Sequence, residues 1–497
     1  MVRGLWSVLR PPVTILPLRP AENASPEALK VFLAQAREAA RRDGHAKLVS
    51  ISIEVDALDP LAVLEAIFDP REPHFYAERP SSESAIAGAE VALAFEAAGP
   101  ERFAAVQRWM DETLAHTIAV GEVNAPFGGP HFFAGFTFQE TVEPGESFPA
   151  AFAFVPRWQV ALAGTKTAAV ANLLVTAEAD LAALAERVWR AHAKFRRFDY
   201  DREQGNGSAA SAGERGPENG PREAPAVFTT RETGDYRSAV AEALRRIEAG
   251  EFRKIVLARA QDLATDRPLH PLRMLNGLRQ RFPDCYSFSF AHGPGPSFIG
   301  ASPERMVRVS KGTLETEALA GSIRRGAGAS EDAALAGSLL RSEKDRREHQ
   351  DVLDDMVARL KPLQLSPEFP TQPHVRRFAN VQHLHTPVRA ALPENVRLLA
   401  VLAAMHPTPA VGGSPRDAAV ARIRELEGFP RGLYAGALGW MNARGGGEFF
   451  VGLRSALVDG ANARIYAGAG IVAGSTPEKE FAETELKFKA MLDALVA

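Results

Sequence analysis

Residues Asp235–Arg259, DYRSAVAEALRRIEAGEFRKIVLAR, change period part-way through, and that change decides the fold class. Apolar residues recur at helical spacing over Asp235–Ala249. From Lys254 to Arg259 the spacing becomes two, with Lys254, Val256 and Ala258 on one face and Ile255 and Leu257 on the other. Both faces are largely apolar, so this predicts a strand buried on both sides. Working outward, short strands are expected at Cys285–Phe290, Ser297–Gly300, Arg305–Val309, Gly436–Met441, Glu448–Val458 and Ala463–Ala467. Ser330–Leu360 reads as one long amphipathic helix, and Pro477–Ala497 as a closing helix with proline in its first turn. The short turns Asn442–Gly447 and Asp459–Asn462 favour antiparallel neighbours. Helices and strands mix without a strict β-α-β beat, which predicts an α+β layered sandwich.

The N-terminal third continues the mixture. Pro26–Arg42, Glu101–Ala119 and Leu174–Phe195 read as helices, and Ala46–Val55 and Pro130–Phe138 as strands. Residues 201–225, DREQGNGSAASAGERGPENGPREAP, contain almost nothing apolar and cannot offset chain entropy by burial. A flexible linker is expected there, between an N-terminal α+β region (1–200) and a C-terminal catalytic region (226–497).

Bulk properties exclude several classes. The chain has 497 residues, 46% hydrophobic and 24% charged, which suits one large enzyme domain plus a smaller one. A net charge of −3 argues against nucleic acid as partner. An anionic ligand would have to be met by local charges or a metal. The single cysteine, Cys285, forms no internal disulfide or cysteine-based zinc site. Pro11, Pro12 and Pro17 interrupt the N-terminus, and no apolar run is long enough for a signal sequence or a membrane span. A cytoplasmic protein with no membrane partner is expected.

Four sets of residues could carry chemistry. Asp345 and Glu348 share one helix face, as do Glu480 and Glu483, with Lys487 a turn further on. Two such faces could grip a divalent cation, and all-oxygen ligands favour Mg²⁺; each could equally be an ordinary exposed charge pair. Lys254, desolvated in a buried strand, could serve as a general base, or it could extend its ammonium to water. Glu304 follows the constrained turn Gly300-Ala-Ser-Pro and is a candidate general acid, or a plain turn carboxylate. Gly468-Ala-Gly470 and Arg454 could receive carboxylates, against readings as a tight turn and a surface ion pair. Gly321, Ser322 and His383 are weaker candidates. His383 and His385 share a strand face but lack a third zinc ligand.

The order of these segments is more specific than any one of them. Lys-Ile-Val-Leu-Ala-Arg259, Gly-Ala-Ser-Pro-Glu304, Thr316-Glu-Ala-Leu-Ala-Gly-Ser322, Glu-Lys-Asp-Arg-Arg-Glu-His349, Val-Gln-His-Leu384, His406-Pro-Thr-Pro-Ala410, Tyr466-Ala-Gly-Ala-Gly-Ile-Val472 and Glu-Phe-Ala-Glu-Thr484 follow one another over residues 226–497. The series resembles the chorismate-utilising enzymes. Lys254 and the His406–Ala410 segment resemble the isochorismate-forming members more than the amine-transferring ones; salicylate synthases share the lysine. The resemblance implies an α/β/β/α sandwich of two mostly antiparallel sheets flanked by helices. It implies Mg²⁺ held by Glu348 and Glu483, with Glu480 and Asp345 in support. Arg454, Lys487 and the Gly468 backbone would receive the carboxylates of chorismate. Lys254 would activate water for attack at C2, and Glu304 would protonate the departing C4 hydroxyl. Gly321, Ser322, His383 and Ala410 would line the pocket. A neutral Lys254 and a protonated Glu304 are expected in the loaded site, within one chain acting as a monomer. A chorismate-binding regulator is the non-enzymatic alternative.

Overall fold

The computed structural model describes residues 13–16, 26–55, 58–189, 228–379 and 381–495. The expected linker at 201–225 lies outside them.

Lys254–Ala264 is a strand, buried along nearly its whole length as its apolar faces predict. The preceding helix, Tyr236–Glu248, is capped by Asp235, whose side chain accepts from the Ser238 amide. Among the described residues, 21 strands join in one hydrogen-bonded network. The register divides it into two sheets. The first runs from Thr229–Thr233 through Lys254–Ala264, Asn462–Val472, Ser455–Asp459, Ser297–Ser302 and Tyr286–Ala291 to His74–Arg79. It continues through one end of the Ser84–Ala97/Ala151–Ala163 pair to Lys166–Val175, Lys47–Val55, Thr117–Gly121 and Thr14–Leu16. The second leaves the other end of the same pair through His131–Phe136, Ala437–Asn442, Gly447–Val451, Arg305–Ser310, Thr313–Arg324 and Val381–Ala391 to His374–Arg377. Pairing is antiparallel except where Thr117–Gly121 meets Lys47–Val55 and Thr14–Leu16. A bulge between Val91 and Leu93 marks where the shared pair passes from one sheet to the other.

The sheets face each other through aromatic rings. Phe75 stacks on Phe133 at 4.6 Å, and Tyr286 on Phe450 at 4.9 Å. Tyr236–Glu248, Pro271–Arg281 and Pro477–Leu495 pack on the first sheet, while Arg102–Ala115, Glu343–Leu360 and Leu398–Met405 pack on the second. The α/β/β/α sandwich expected from the resemblance is therefore observed. No helix among the described residues is long and apolar enough to cross a membrane.

Four boundaries differ from expectation. The expected helix Glu101–Ala119 stops at Ala115, and Thr117–Gly121 is a strand. Ser330–Leu360 is not one helix: Ala329–Arg341 ends at Ser342, whose extended backbone and hydroxyl cap a new helix, Glu343–Leu360, through the Asp345 amide. Leu174 and Val175 complete the strand Lys166–Val175; helix follows only at 181–189, where Asp180 accepts from the Ala182 and Ala183 amides. The expected strand Glu448–Val458 is two strands, Gly447–Val451 and Ser455–Asp459, because Arg454 adopts a left-handed backbone (φ 46°) between them.

Candidate active site

Lys254 begins the strand that lies between Thr229–Thr233 and Asn462–Val472, and its side chain is nearly buried. Nζ donates to Glu348 Oε1 at 2.8 Å. Gly470, on the neighbouring strand, makes room for it: a Cβ there would stand 3.0 Å from Lys254 Cε. Burial pushes the Glu348 carboxyl up, but the Lys254 charge and hydrogen bond, with the Lys344 and Lys487 charges, hold it below the usual range. The expected general base is thus ion-paired to an expected metal ligand.

Glu304 lies between the strands Ser297–Ser302 and Arg305–Ser310 and is 8% exposed. Its carbonyl accepts from the Val451 amide at 3.1 Å, and its carboxyl accepts from Thr408 Oγ1 at 3.4 Å. Desolvation, then the Glu317 charge, pushes the carboxyl up to about 7, against the Thr408 hydrogen bond and the Lys254 charge. A carboxyl with this pKa can hold a proton near neutrality and give it up, as a general acid must.

The second acidic face is on Pro477–Leu495. Glu483 accepts from Lys487 Nζ at 2.8 Å, and the same ammonium donates to the Gly468 carbonyl at 2.7 Å. Burial raises the Glu480 carboxyl, and the Glu483 charge adds to this against a hydrogen bond from Ser475. Arg259 ties this helix to the Lys254 strand. Its guanidinium donates to Thr484 Oγ1 at 2.9 Å and Glu485 at 2.6 Å and lies over the Phe481 ring. Among the described residues no group of three or more His, Cys, Asp or Glu side chains is gathered tightly enough to hold a metal ion, the His383/His385 pair included. The donor set nevertheless suits a hard divalent cation, since the two helices offer only carboxylates. The mutual repulsion that helps raise Glu480 is the kind a cation would relieve.

The remaining candidates fall around these groups. Gly321, at a bulge with φ +72°, lies against Asp345, whose Cβ would be 3.0 Å from a Cβ at 321. Asp345 is itself held by the Ser342 hydroxyl. Ser322 Oγ is 2.8 Å from His383 Nδ1, and His383 Nε2 is buried with no hydrogen-bond partner among the described residues. Burial and the charges of Arg454 and Lys487 lower the His383 pKa to about 3, so the ring is neutral. Arg454 reaches Cys285 Sγ at 3.7 Å and lies beside Phe282 and Phe378; no carboxylate pairs with it among the described residues. The alternative of a tight turn at Gly468 is not what the structure has: Gly468-Ala-Gly470 continues the expected strand Ala463–Ala467 and lies inside Asn462–Val472, in register with Val256–Ala258. Ala410 sits in the turn that carries Thr408, where the Val411 and Gly412 amides donate to the Thr408 carbonyl.

Several supporting residues escaped the sequence reading. Thr408 and Glu317 stand inside quoted segments, but nothing local marks them as partners of Glu304. Glu427 and Arg431 form a fully buried ion pair. Glu427 accepts from the Ala258 amide at 2.6 Å, and Arg431 donates to Val256 O at 2.7 Å and Val411 O at 2.9 Å. They fasten the Lys254 strand to the Thr408 turn, and their i,i+4 spacing alone could not have signalled it.

A buried lysine ion-paired to a glutamate, a carboxyl held near neutral pKa, an arginine with no carboxylate partner among the described residues and two carboxylate-bearing helices suit acid–base chemistry on an anionic substrate. The chain belongs to the chorismate binding enzyme family, whose profile it matches over residues 33–496. It is 37% identical to the salicylate biosynthesis isochorismate synthase of Pseudomonas aeruginosa, with 90% of each chain covered. It is 31% identical to the isochorismate synthase MenF of Bacillus subtilis, covering 92% of this chain and 95% of the relative. Its fold matches the menaquinone-specific isochorismate synthase MenF of Escherichia coli with a TM-score of 0.72 at 26% identity, over 94% of this chain and all of that one.

Proposed function

We propose that this protein is an isochorismate synthase, a cytoplasmic monomer that interconverts chorismate and isochorismate. The observation that carries the reading is Glu304, a buried carboxyl raised to about 7, within the field of Lys254. In its neutral form, Lys254 Nζ takes a proton from water as the water oxygen bonds to C2. The ring double bonds shift, the C4–O bond breaks, and Glu304 gives its proton to the departing hydroxyl, which leaves as water. Atoms balance, since one water enters and one leaves. Mg²⁺ held by Glu348 and Glu483, with Glu480 and Asp345 beside them, would supply positive charge for the ring carboxylate. Arg454 offers a bidentate fork to a carboxylate, and Lys487 can turn from Gly468 toward another. Ser322, the neutral His383, Gly321 and Ala410 shape the pocket wall.

The test is the product. Full-length protein with chorismate and Mg²⁺ should yield isochorismate by proton NMR. Salicylate with pyruvate would replace the reading with salicylate synthase, ammonia-dependent anthranilate with an amine-transferring enzyme, and binding without product with a regulator.

A further inference from the structure

Behind Glu304 lies a second buried glutamate with its own retinue. Glu317 sits on the strand Thr313–Arg324, its side chain 7% exposed. Oε2 accepts from Arg376 Nη1 at 2.7 Å and faces His385 Nε2 at 2.8 Å. His385 Nδ1 in turn meets His374 Nε2 at 2.9 Å. Oε1 points the other way and accepts from the Arg305 amide at 3.4 Å, the peptide immediately after Glu304. We propose that Glu317 is a positioning residue that clasps the Glu304 turn from behind and sets a fixed negative charge beside the acid. The inference rests on the reading of Glu304 as the proton donor.

The groups facing this pair divide cleanly. Lys254 acts on Glu304 from the start of the strand Lys254–Ala264, and Thr408 donates to it. Arg376 on His374–Arg377, His385 on Val381–Ala391 and the Arg305 charge face Glu317, and His374 stands behind His385. Burial opposes the Glu317 charge, but His385, Arg376 and Arg305 outweigh it and hold the carboxyl down to about 2. Glu317 therefore stays ionised through the working range while its field opposes ionisation of Glu304. An acid must stay protonated to work, so this charge extends activity toward higher pH.

The experiment compares pH profiles of kcat/KM for the full-length protein and its variants. Glu317→Gln keeps an acceptor for the Arg305 amide but loses the charge. The alkaline limb should move to lower pH, and a shift of one pH unit is about a tenfold loss above the limb. Activity at pH 6 should stay within a few-fold of the parent. Glu317→Asp keeps the charge and should keep the limb while lowering kcat. A uniform loss at every pH in Glu317→Gln, or a displaced limb in Glu317→Asp, would overturn the inference. Failure of the isochorismate reading is told apart by ¹³C-carboxyl glutamate NMR of the resting protein: Glu304 titrating lower in Glu317→Gln sustains the coupling whatever the product, and unchanged titration ends it.

Discussion

The Glu304 side and the Glu348–Glu483 side of the site both offer carboxylates, but on different terms. Glu304 is buried, bonded to Thr408 and raised by its surroundings. Glu348 and Glu483 are more exposed and each already accepts a lysine ammonium. The first environment favours a proton, and the second favours a cation. Residue type is the same; burial and neighbouring charge set the two environments apart.

The largest expected effect breaks the first side. Glu304→Gln keeps shape but cannot give up a proton, and kcat should fall by about 10²–10⁴ with the fold intact. Stability should move the other way. Burial raises the Glu304 pKa from 4.5 to about 7. The fold therefore favours the protonated form, a contribution complete below the ordinary value and lost as pH rises through about 7. At pH 8 the glutamine variant should be the more stable, by up to roughly 3 kcal/mol. Equal thermal midpoints at pH 8 would mean that the carboxyl is solvated.

Lys254→Met tests the bridge between the sides. It should cost about 10²-fold or more in kcat. It also strips Glu348 of its ammonium partner, so the Glu348 carboxyl should titrate higher by ¹³C NMR. A variant with near-parental turnover would place the base elsewhere.

Mg²⁺ addresses the second side alone. EDTA should abolish turnover, and Mg²⁺ at a hundred times its Kd should stabilise the fold by about 2.7 kcal/mol in calorimetry. Glu483→Gln should weaken that stabilisation, whereas Glu304→Gln should leave it. A melting curve indifferent to Mg²⁺ would remove the cation from the comparison.

The smallest effect is geometric. Gly470→Ala places a Cβ against Lys254 Cε, and the flexible lysine end can give by a few tenths of an ångström. A loss in kcat of less than about tenfold, with little change in melting, is expected. A collapse in stability would show that the lysine cannot yield.

Legibility followed distance along the chain. The Lys254 strand and the two acidic faces depend on residues a few positions apart, and they could be read directly. The break at Ser342 was legible in principle, as Ser342 followed three residues later by Asp345, but the charge periodicity across it masked the signal. The left-handed Arg454 was not legible, because a non-glycine residue there is imposed by the strand crossing around it: its carbonyl accepts from the Ala301 amide. The Gly468–Gly470 pair resembled a turn, yet it serves within a strand, clearing space for the Lys254 side chain and the Tyr434 hydroxyl.

By itself the sequence determined the fold class, the family series and the inventory of reactive groups, because periodicity, caps and motif order are properties of near neighbours. Only the tertiary structure decided which carboxyl is fit to carry a proton. That depends on desolvation and on charges such as Glu317, Arg376 and Lys254, which folding delivers from remote parts of the chain to within reach of one another.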